Sequence, residues 1–500
     1  MKKIYFTLIV ILAVSFSGFT QGEQDALRYS QYFTGGSARF SAMGGAFGAL
    51  GGDFSALTIN PAGLGVFRSS EFSFTPTFRY NTVETNFAGS VNDDFDYDFN
   101  LNQLGFVSSF DLGNSEGWSN INIAVGYSRQ NNFNRNVIIE GVNNSNSMLD
   151  YFANYSDGYL PEELNSFNEF LAYDTWLIDT VTNMGFNDYE TILSDYGDDA
   201  NSTYGQVQQR TLSSKGNLGE YMFSVGANYG NSLYIGASFG IQKLYYSESN
   251  EHIEYDPDDH IFDFKSFTYY QDLITRGKGY SFKMGAIFKP VEVLRLGVAF
   301  HLPTFFKLED EYYSYIDAYI NSSRDTAGVN GFKDYSSEPL DLFYKYELTT
   351  PFRAIGSVAY QFGKRALLSV DYEFVDYSTA RLRRGEDGEN FNPENDCIKD
   401  IYRKTGNLRL GGEYRLGAIS LRGGYTHYGS AYVKSEANKD ASYSLISAGI
   451  GFRQKKFYID FAFTHLMHEE QYFMYPSVNI VPSVNESTTD KFLATVGFEF

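Results

Sequence analysis

Residues 218–247 read LGEYMFSVGANYGNSLYIGASFGIQKLYYS, and this stretch decides the fold. On each side of Gly230-Asn231, apolar residues such as Tyr221 and Phe223 alternate with small or polar residues such as Ser224. A two-residue period predicts β-strands, and a Gly-Asn dipeptide between two such runs predicts a hairpin. Each strand therefore has one apolar and one polar face, which is typical of a wall that meets lipid on one side only.

The same alternation recurs along the chain and predicts fourteen strands. They cover residues 71–82, 101–112, 118–131, 218–230, 232–247, 276–289, 292–303, 351–362, 365–376, 405–415, 418–428, 442–453, 456–467 and 490–500. Short turns at 113–117, 231, 290–291, 363–364, 416–417 and 454–455 alternate with long connections at 83–100, 132–217, 248–275, 304–350, 377–404, 429–441 and 468–489. Short periplasmic turns alternating with long outer loops are typical of a transmembrane antiparallel β-barrel. The pattern places both chain ends in the periplasm and Cys397 outside the cell.

Charged residues within the strands indicate which face looks inward. Tyr280, Phe282 and Met284 share one face of their strand, whereas Lys283 lies on the opposite face. A lysine or arginine facing lipid at mid-bilayer costs about 2–4 kcal/mol, so these cations should face the lumen. The candidate lumenal cations, which could bind the carboxylate of a ligand, are Lys283, Arg295, Arg409 and Arg422. The alternative is that they pair with the inward-facing acids Asp371, Glu373, Glu413 and Asp460 and hold the barrel in shape.

Both chain ends carry features of an exported barrel. Lys2 and Lys3 precede the apolar run 4–16 and the small residues Ser17 and Gly18, which predicts a signal peptide over residues 1–20. The run is too short for a membrane-spanning helix, which takes roughly 20 apolar residues. At the other end, the alternation continues to a terminal Phe500, the expected assembly signal for the barrel assembly machinery. These two features favour a membrane barrel over a soluble β-sandwich, which would also alternate.

Composition narrows the classes of function. The chain has 45 Phe, 41 Tyr and 47 Gly, which suits lipid-facing strands better than a soluble enzyme. A net charge of −22 excludes nucleic acid as a partner, because phosphate neutralisation needs Lys and Arg. The single cysteine allows no internal disulfide, and the six histidines form no catalytic or metal-binding pattern. We therefore expect neither an enzyme nor a cofactor or metal site.

A glycine-rich segment precedes the first strand. Residues 35–65 read GGSARFSAMGGAFGALGGDFSALTINPAGLG, and they do not alternate as a strand does. The spacing of Gly45, Gly48 and Gly51 could suggest a phosphate-binding loop, but no strand–loop–helix context surrounds it. Fourteen strands enclose a lumen wide enough to leak unless something fills it. We therefore expect a lumenal plug over residues 21–67, followed by the barrel over residues 68–500.

The apolar residues of the plug are either ligand contacts or plain packing. They are spaced along its glycine-rich run, and the candidate ligand-contacting residues are Phe40, Met43, Phe47, Leu50 and Phe54.

The step Asn60-Pro61-Ala62-Gly63, after a run of small residues, resembles the plug of the outer-membrane long-chain fatty acid transporter family (FadL type). That family also includes porins for aromatic hydrocarbons. The blocks at 279–310, 349–378 and 408–428 are similar to its hairpins, and the likeness spans nearly the whole chain. The resemblance implies a fourteen-stranded barrel. This chain departs from the family's pattern in residues 132–217, which form an unusually long segment for an outer loop.

The resemblance implies passive uptake of hydrophobic small molecules, such as fatty acids or aromatic hydrocarbons, without covalent chemistry. The expected partners are the hydrophobic ligand, outer-membrane lipid and lipopolysaccharide, and the barrel assembly machinery. Two alternatives remain. A general porin would conduct through an open lumen, which a plug should prevent. A haem-binding receptor would use rim histidines, but His465 and His468 are three residues apart on a strand and point to opposite faces.

Overall fold

The structure is a computed structural model that describes residues 22–500 except 34, 115–116, 182–187, 194–203, 260, 262, 322–330, 386–389 and 477–479. The predicted signal peptide, residues 1–20, lies outside the described residues. No described helix has the length and apolar character needed to cross a membrane.

The described residues form mostly strands. In chain order the strands are β1 (Glu71–Phe87), β2 (Ser90–Asp111), β3 (Trp118–Asn132), β4 (Arg135–Asn143), β5 (Ile178–Thr180), β6 (Tyr189–Thr191), β7 (Gln206–Tyr229), β8 (Leu233–Tyr255), β9 (Phe264–Val291), β10 (Leu294–His301), β11 (Phe305–Asn321), β12 (Phe332–Ser336), β13 (Leu340–Thr349), β14 (Arg353–Phe362), β15 (Ala366–Asp376), β16 (Arg381–Arg384), β17 (Lys404–Leu416), β18 (Ile419–Tyr428), β19 (Tyr443–Gln454), β20 (Phe457–Tyr472) and β21 (Ser483–Glu499). The α-helices are α1 (Glu23–Arg28), α2 (Ala38–Ala42), α3 (Met148–Ser156), α4 (Glu169–Asp174) and α5 (Asn392–Ile401). Two 3₁₀ helices, Phe54–Thr58 and Pro61–Val66, complete the plug.

The wall is a closed antiparallel barrel. Each wall strand pairs with its neighbour, and β21 closes the ring by pairing with β1, for example Phe72 with Phe498. A short break at Pro303 separates β10 from β11, and one at Pro351 separates β13 from β14. Because β10 pairs with β14 and β11 pairs with β13, each broken pair counts as one wall strand. The ring therefore has fourteen strands, β1, β2, β3, β7, β8, β9, β10–β11, β13–β14, β15, β17, β18, β19, β20 and β21, which confirms the predicted fold class.

Side chains alternate across the wall as the sequence predicts. On β9, Phe282 and Met284 are 38% and 39% exposed, whereas Ser281 and Lys283 between them are 4% and 3% exposed. The two-residue strand period turns successive side chains to opposite faces. The apolar face meets lipid, and the polar face meets the plug.

Several of the predicted long connections, 83–100, 132–217, 248–275, 304–350 and 468–489, are wrong in extent because they contain strands. Residues 83–100 are expected to form a loop, but β1 and β2 continue through them to a two-residue turn at Ala88-Gly89. Likewise β8 and β9 continue far into the expected connection 248–275. Polar residues such as Glu84 and Asp272 face outward on these extensions. On β2, Phe95, Tyr97 and Phe99 also face outward and are 52–75% exposed, but acidic residues separate them.

The described part of the long connection 132–217 forms a cap over one end of the barrel. Leu149 and Phe152 of α3 pack with Phe267 and Ile316, which lie on the extensions of β9 and β11. Glu254 of β8 anchors the start of α3 by accepting hydrogen bonds from Ser147 Oγ (2.6 Å) and the Met148 amide (2.7 Å). We call this end of the barrel the outer end and the opposite end, with the short turns, the inner end.

The two ends of the described chain lie at opposite ends of the barrel. Phe500 is at the inner end, where its amide donates to the Ser70 carbonyl. Glu23 is at the outer end, where its carbonyl accepts a hydrogen bond from the Tyr402 hydroxyl (3.0 Å) next to α5. The expectation that both ends lie on the periplasmic side does not fit Glu23, because residues 22–67 run the length of the lumen.

Candidate functional site

The plug runs from the outer end, at α1, to the inner end, where β1 begins. Its middle part starts with α2, which Ser37 caps by accepting a hydrogen bond from the Phe40 amide (3.1 Å). The Ser37 hydroxyl also donates to Asp53 (2.7 Å), which in turn accepts from the Ser55 amide (2.9 Å). These side chains bind backbone amides at the ends of the short plug helices, which have no partner within the helix.

Asn60 joins the plug to itself and to the wall. Its Nδ2 donates to the Gly48 carbonyl (2.7 Å) within the plug and lies 3.2 and 3.3 Å from the wall carbonyls of Ala286 and Val298. Its Oδ1 accepts from the Ala62 amide (3.0 Å) and so starts the turn that Pro61 stiffens. Asn60 is 1% exposed, and one buried amide therefore satisfies groups on three separate segments.

Glycines on the inner face of the wall allow the plug backbone to approach. A Cβ at Gly285 would lie 2.1 Å from Asn60 Oδ1, and one at Gly297 would lie 2.3 Å from the Gly48 carbonyl oxygen. The same close approach occurs at Gly226, Gly236, Gly411, Gly424 and Gly449. Absence of a side chain is therefore required at these points. The sequence analysis did not predict this set of glycines, although the two-residue period places all seven on the lumenal face of their strands.

The predicted ligand-contacting residues of the plug are packed against each other and the wall. Phe40, Met43, Phe47 and Leu50 form one cluster with wall residues such as Ile355. Phe54 packs instead with Val107 and Ala124 on β2 and β3. All five are 0–7% exposed, and none lines the large lumenal cavity described below. In this arrangement they would meet a ligand only after the plug has moved.

Two of the four candidate cations, Lys283 and Arg295, lie on the β9–β10 side of the wall. Lys283 Nζ pairs with Glu220 on β7 at 2.5 Å. Arg295 donates to the Leu50 carbonyl of the plug (2.7 Å). Close to Lys283, His301 Nε2 lies 2.8 Å from the Ile59 carbonyl, which the ring donates to. The contacts of Arg295 and His301 hold the plug to β10, whereas the Lys283–Glu220 ion pair lies within the wall.

The other two cations belong to ion-pair networks on the opposite side. Arg409 pairs with Glu373 at 2.7 Å, and Arg422 pairs with both Glu413 (2.8 Å) and Asp460 (2.6 Å). The networks also contain two arginines that sequence analysis did not single out. Arg39 of the plug pairs with Glu413 at 3.0 Å, and Arg353 bridges Glu373 and the Ser30 carbonyl. Buried charges need such partners, because an unpaired one costs several kcal/mol.

An open cavity of about 540 Å³ lies at the outer side of the plug. The plug contributes Leu27 and Phe33 to its lining, and the wall contributes polar residues of β1, β3 and β21 such as Asn81. Arg135 on its rim is paired with Glu470 at 2.6 Å. The cavity combines apolar and hydrogen-bonding surface, as small-molecule sites do.

Arg129 and Lys491 are the cations of this cavity that could meet a ligand. Both line it, and within the described part of the chain neither has a carboxylate at ion-pair distance. Their neighbour Arg79, by contrast, lies 3.4 Å from Asp96. Sequence analysis missed all three. Lys491 could have been predicted, because it alternates with the lipid-facing Phe492 and so faces the lumen. Arg129 could not, because the alternation places it on the same face as the lipid-facing Ile123 and Val125. It lies next to a bulge in the β3–β7 register.

The pairing between β2 and β3 ends partway up the wall. Their register runs from Asp111–Asn120 to Gln103–Ser128, while β2 stays paired with β1 above that point. The neighbouring pair Phe74–Leu104 faces lipid, so the pairing ends within the apolar band.

The plug bonds both edges above this point. Asn102 Nδ2 donates to the Gly36 carbonyl (2.6 Å), and the Phe33 amide donates to the Gln130 carbonyl (3.1 Å). The plug therefore takes the place of the missing strand pairing.

Two buried carboxyl groups hold α1 at the outer end, above the membrane segments. Asp25 is ion-paired with Arg28, and Asp310 of β11 lies close to it. Burial raises the pKa of both groups above the usual range of aspartate. The charge of Glu248 further raises the pKa of Asp25, and the charge of Asp25 further raises the pKa of Asp310.

The rim histidines have separate partners. His465 Nδ1 lies 2.7 Å from Asp490, and the His468 ring stacks on Tyr443 with centroids 3.7 Å apart. Among the residues that the structure describes, no three His, Cys, Asp or Glu side chains are grouped as metal ligands.

Known proteins provide an independent comparison. The sequence profile described as "Outer membrane protein transport protein (OMPP1/FadL/TodX)" matches residues 222–494. A search of curated protein sequences finds no match. The solved structure of a Pseudomonas aeruginosa FadL homologue aligns with a TM-score of 0.53 at 12% identity, over 94% of this chain and 100% of that chain. The P. putida toluene transporter TodX aligns with the same TM-score and identity, over 94% and 99%.

The two structures share the fold of this barrel, and the profile covers more than half of the sequence. The chain belongs to the FadL/TodX family of outer-membrane transport proteins.

Proposed function

We propose that this protein takes up hydrophobic small molecules through the outer membrane, with long-chain fatty acids or aromatic hydrocarbons as the ligand classes. The observation that carries the proposal is a lumen filled by a plug, with a cavity on the outer side and an interrupted wall pairing beside it. Burial of apolar ligand surface contributes about 25 cal/mol per Å² and can drive entry without an energy source. Neither covalent chemistry nor a cofactor is needed for such uptake.

The filled lumen argues against a general porin. The described plug residues contact the wall through Asn60, at the inner-face glycines and through the Arg39–Glu413 pair, and a plug held in this way would block small sugars. A haem receptor would need an open axial histidine, but His465 and His468 already have partners. Hydrophobic uptake is the function that agrees best with these contacts.

The arrangement of β2 and β3 supports a sideways exit. A ligand in the cavity lies next to Arg129, Asn102 and the plug residues Phe33 and Gly36. If Phe33 and Gly36 move away, the unpaired edges of β2 and β3 border an opening within the apolar band. A hydrophobic molecule would then leave into the membrane rather than into the periplasm.

Deletion of residues 35–65 tests the plug and the uptake together. The intact protein should conduct little in planar bilayers, and the deletion should raise both conductance and permeability to small sugars. Cells with the intact protein should take up labelled long-chain fatty acid faster than cells without it. Free conduction by the intact protein, together with no gain in fatty-acid uptake, would contradict the proposal.

The proposed partner in assembly is the barrel assembly machinery, through the terminal Phe500. Its ring is 59% exposed and lies 6.0 Å from that of Phe106 on the lipid side. Phe500→Asp should lower the amount of folded, heat-modifiable barrel in the outer membrane, whereas Phe500→Tyr should not. An undiminished amount of the Asp variant would remove this role.

A further inference from the structure

A row of basic side chains crosses the outer surface of the wall just above the membrane band. Lys243 on β8 is directly opposite Lys278 on β9, which is directly opposite Lys307 on β11. The row continues through Glu347 to Arg383 of β16. It therefore places four cations and one acid side by side on five strands, in a chain whose net charge is −22.

The position of the row is set by the aromatic residues beneath it. Tyr221, Tyr280 and Phe305 face outward at the upper end of the apolar band, and they are 42%, 50% and 55% exposed. Rings at this level mark the boundary between hydrocarbon and head groups in membrane barrels. Lys278 follows two residues above Tyr280, about 7 Å along the strand. The basic row thus lies at the level of the outer-leaflet head groups.

The charges of the row are only partly neutralised within the protein. Directly opposed like charges on neighbouring strands are destabilising. Lys307 reaches Glu347 only at 3.9 Å and is 81% exposed, and Lys243 lies over the Tyr221 ring at 5.4 Å. Lys278, between them, has no carboxylate at ion-pair distance among the described residues. An anion from outside the protein would remove this repulsion.

We propose that the basic row binds the phosphate groups of the phosphorylated glycolipid in the outer leaflet. The inference locates the lipid partner of the outer-membrane protein and depends on its membrane position, not on what it transports. A phosphate between Lys243, Lys278 and Lys307 would accept several charge-assisted hydrogen bonds. Acyl chains of the same lipid would lie against the apolar band immediately below.

The opposite side of the wall carries the reverse charge and provides a matched control. A row of four outward-facing acids crosses four neighbouring strands there, and each acid is directly opposite the next. They are Asp93 on β2, Glu84 on β1, Glu486 on β21 and Glu469 on β20. On β2, Asp93 of this row lies two residues above Phe95, which faces outward and is 52% exposed. A second copy of the chain is therefore the competing occupant, and the experiment below distinguishes it from the lipid. The lipid is the occupant that we infer, because it brings phosphate groups to the level of the basic row and its acyl chains meet the apolar band below.

Binding of lipid A to the detergent-solubilised full-length protein tests the proposal. The triple variant Lys243→Gln, Lys278→Gln, Lys307→Gln should bind diphosphoryl lipid A roughly 100-fold more weakly than the wild type, because each basic residue near charged head groups contributes about fivefold. Dephosphorylated lipid A should bind the wild type as weakly as diphosphoryl lipid A binds the variant. The control variant Glu84→Gln, Asp93→Asn, Glu486→Gln should bind diphosphoryl lipid A at least as tightly as the wild type.

The outcomes separate the alternatives. Equal binding by wild type and triple variant, or equal binding of phosphorylated and dephosphorylated lipid A, would overturn the proposal. So would self-association of lipid-free protein that either triple variant abolishes, because the row would then bind a second copy. If the triple variant does not fold, Lys278→Gln alone should weaken binding about fivefold, and no change would overturn the proposal. Fatty-acid uptake, measured in parallel, should be unchanged in the variants and reports separately on the transport function.

Discussion

The side-chain amide of Asn60 donates to the Gly48 carbonyl at 2.7 Å and thereby ties two turns of the plug together at the wall. The same nitrogen lies 3.2 Å from the Ala286 carbonyl of β9. A single side chain thus couples the internal structure of the plug to its position in the lumen.

Asn60→Ala should loosen the plug without unfolding the barrel. The change leaves the buried carbonyl of Gly48 and the Ala62 amide without their partner, at a cost of about 1–3 kcal/mol. We expect faster hydrogen exchange in residues 44–66 and higher bilayer conductance. Asn60→Asp keeps the acceptor for Ala62 but loses the donor, so it should be at least as disruptive. Unchanged exchange in both variants would mean that Asn60 does not position the plug.

Gly285→Ala should displace the plug from the wall. The added methyl group would lie 2.1 Å from Asn60 Oδ1 and 2.9 Å from the Val298 carbonyl oxygen. Overpacking of this kind costs about 1–3 kcal/mol. Gly356→Ala is the control, because a Cβ there meets no atom within 4 Å. Bilayer conductance should rise in the first variant and stay unchanged in the second; equal conductance in both would contradict the close fit.

Cys397 should be labelled from outside the cell, but slowly. It lies in α5 at the outer end, where burial and the nearby Glu23 and Glu436 raise the pKa of its thiol to about 12. Maleimides react with the thiolate, so its rate at neutral pH should be at least 100-fold below that of a free cysteine with pKa near 8.5. The control is Lys399→Cys in a Cys397→Ser background, an exposed position of the same helix. Labelling of Lys399→Cys only after the outer membrane is broken would invert the topology.

The docking of α1 should weaken as pH rises. The pKa values of Asp25 and Asp310 are raised by burial and by nearby carboxylates, so the docked state binds more protons than the released state. The stabilisation is complete below the ordinary aspartate pKa of about 4 and is lost as pH rises through the raised pKa values. Hydrogen exchange of residues 23–29, corrected for its intrinsic pH dependence, should therefore increase from pH 5 to pH 9.

Asp310→Asn provides the control for this pH dependence. It removes one of the two charges and keeps the shape of the side chain, while the Asp25–Arg28 ion pair remains. Exchange in α1 should then depend much less on pH, and protection at pH 9 should exceed that of the wild type. An unchanged pH profile would assign the effect to another group, such as Glu248.

The sequence by itself determined the barrel, its strand number and the face on which a residue such as Lys283 lies. Lipid on one side of the wall imposes a two-residue period, and this period can be read within a single strand. The turn at Asn60-Pro61 could also be predicted from the sequence, because asparagine and proline favour turns through local interactions. The strand extensions above the membrane were not predicted, because polar residues such as Glu84 and Asp272 face outward there and acidic residues separate the outward aromatic residues of β2.

Only the tertiary structure decided which groups meet. Glu220 and Lys283 are far apart in sequence, and their 2.5 Å contact depends on the register between β7, β8 and β9. Gly285 is required because Asn60 happens to lie opposite it, and Lys243, Lys278 and Lys307 form a row only when three strands align. Arg129 lines the cavity beside a β-bulge, which the two-residue period of the sequence does not predict. The direction of a side chain is a local property of the strand, whereas its partner depends on the pairing of distant segments.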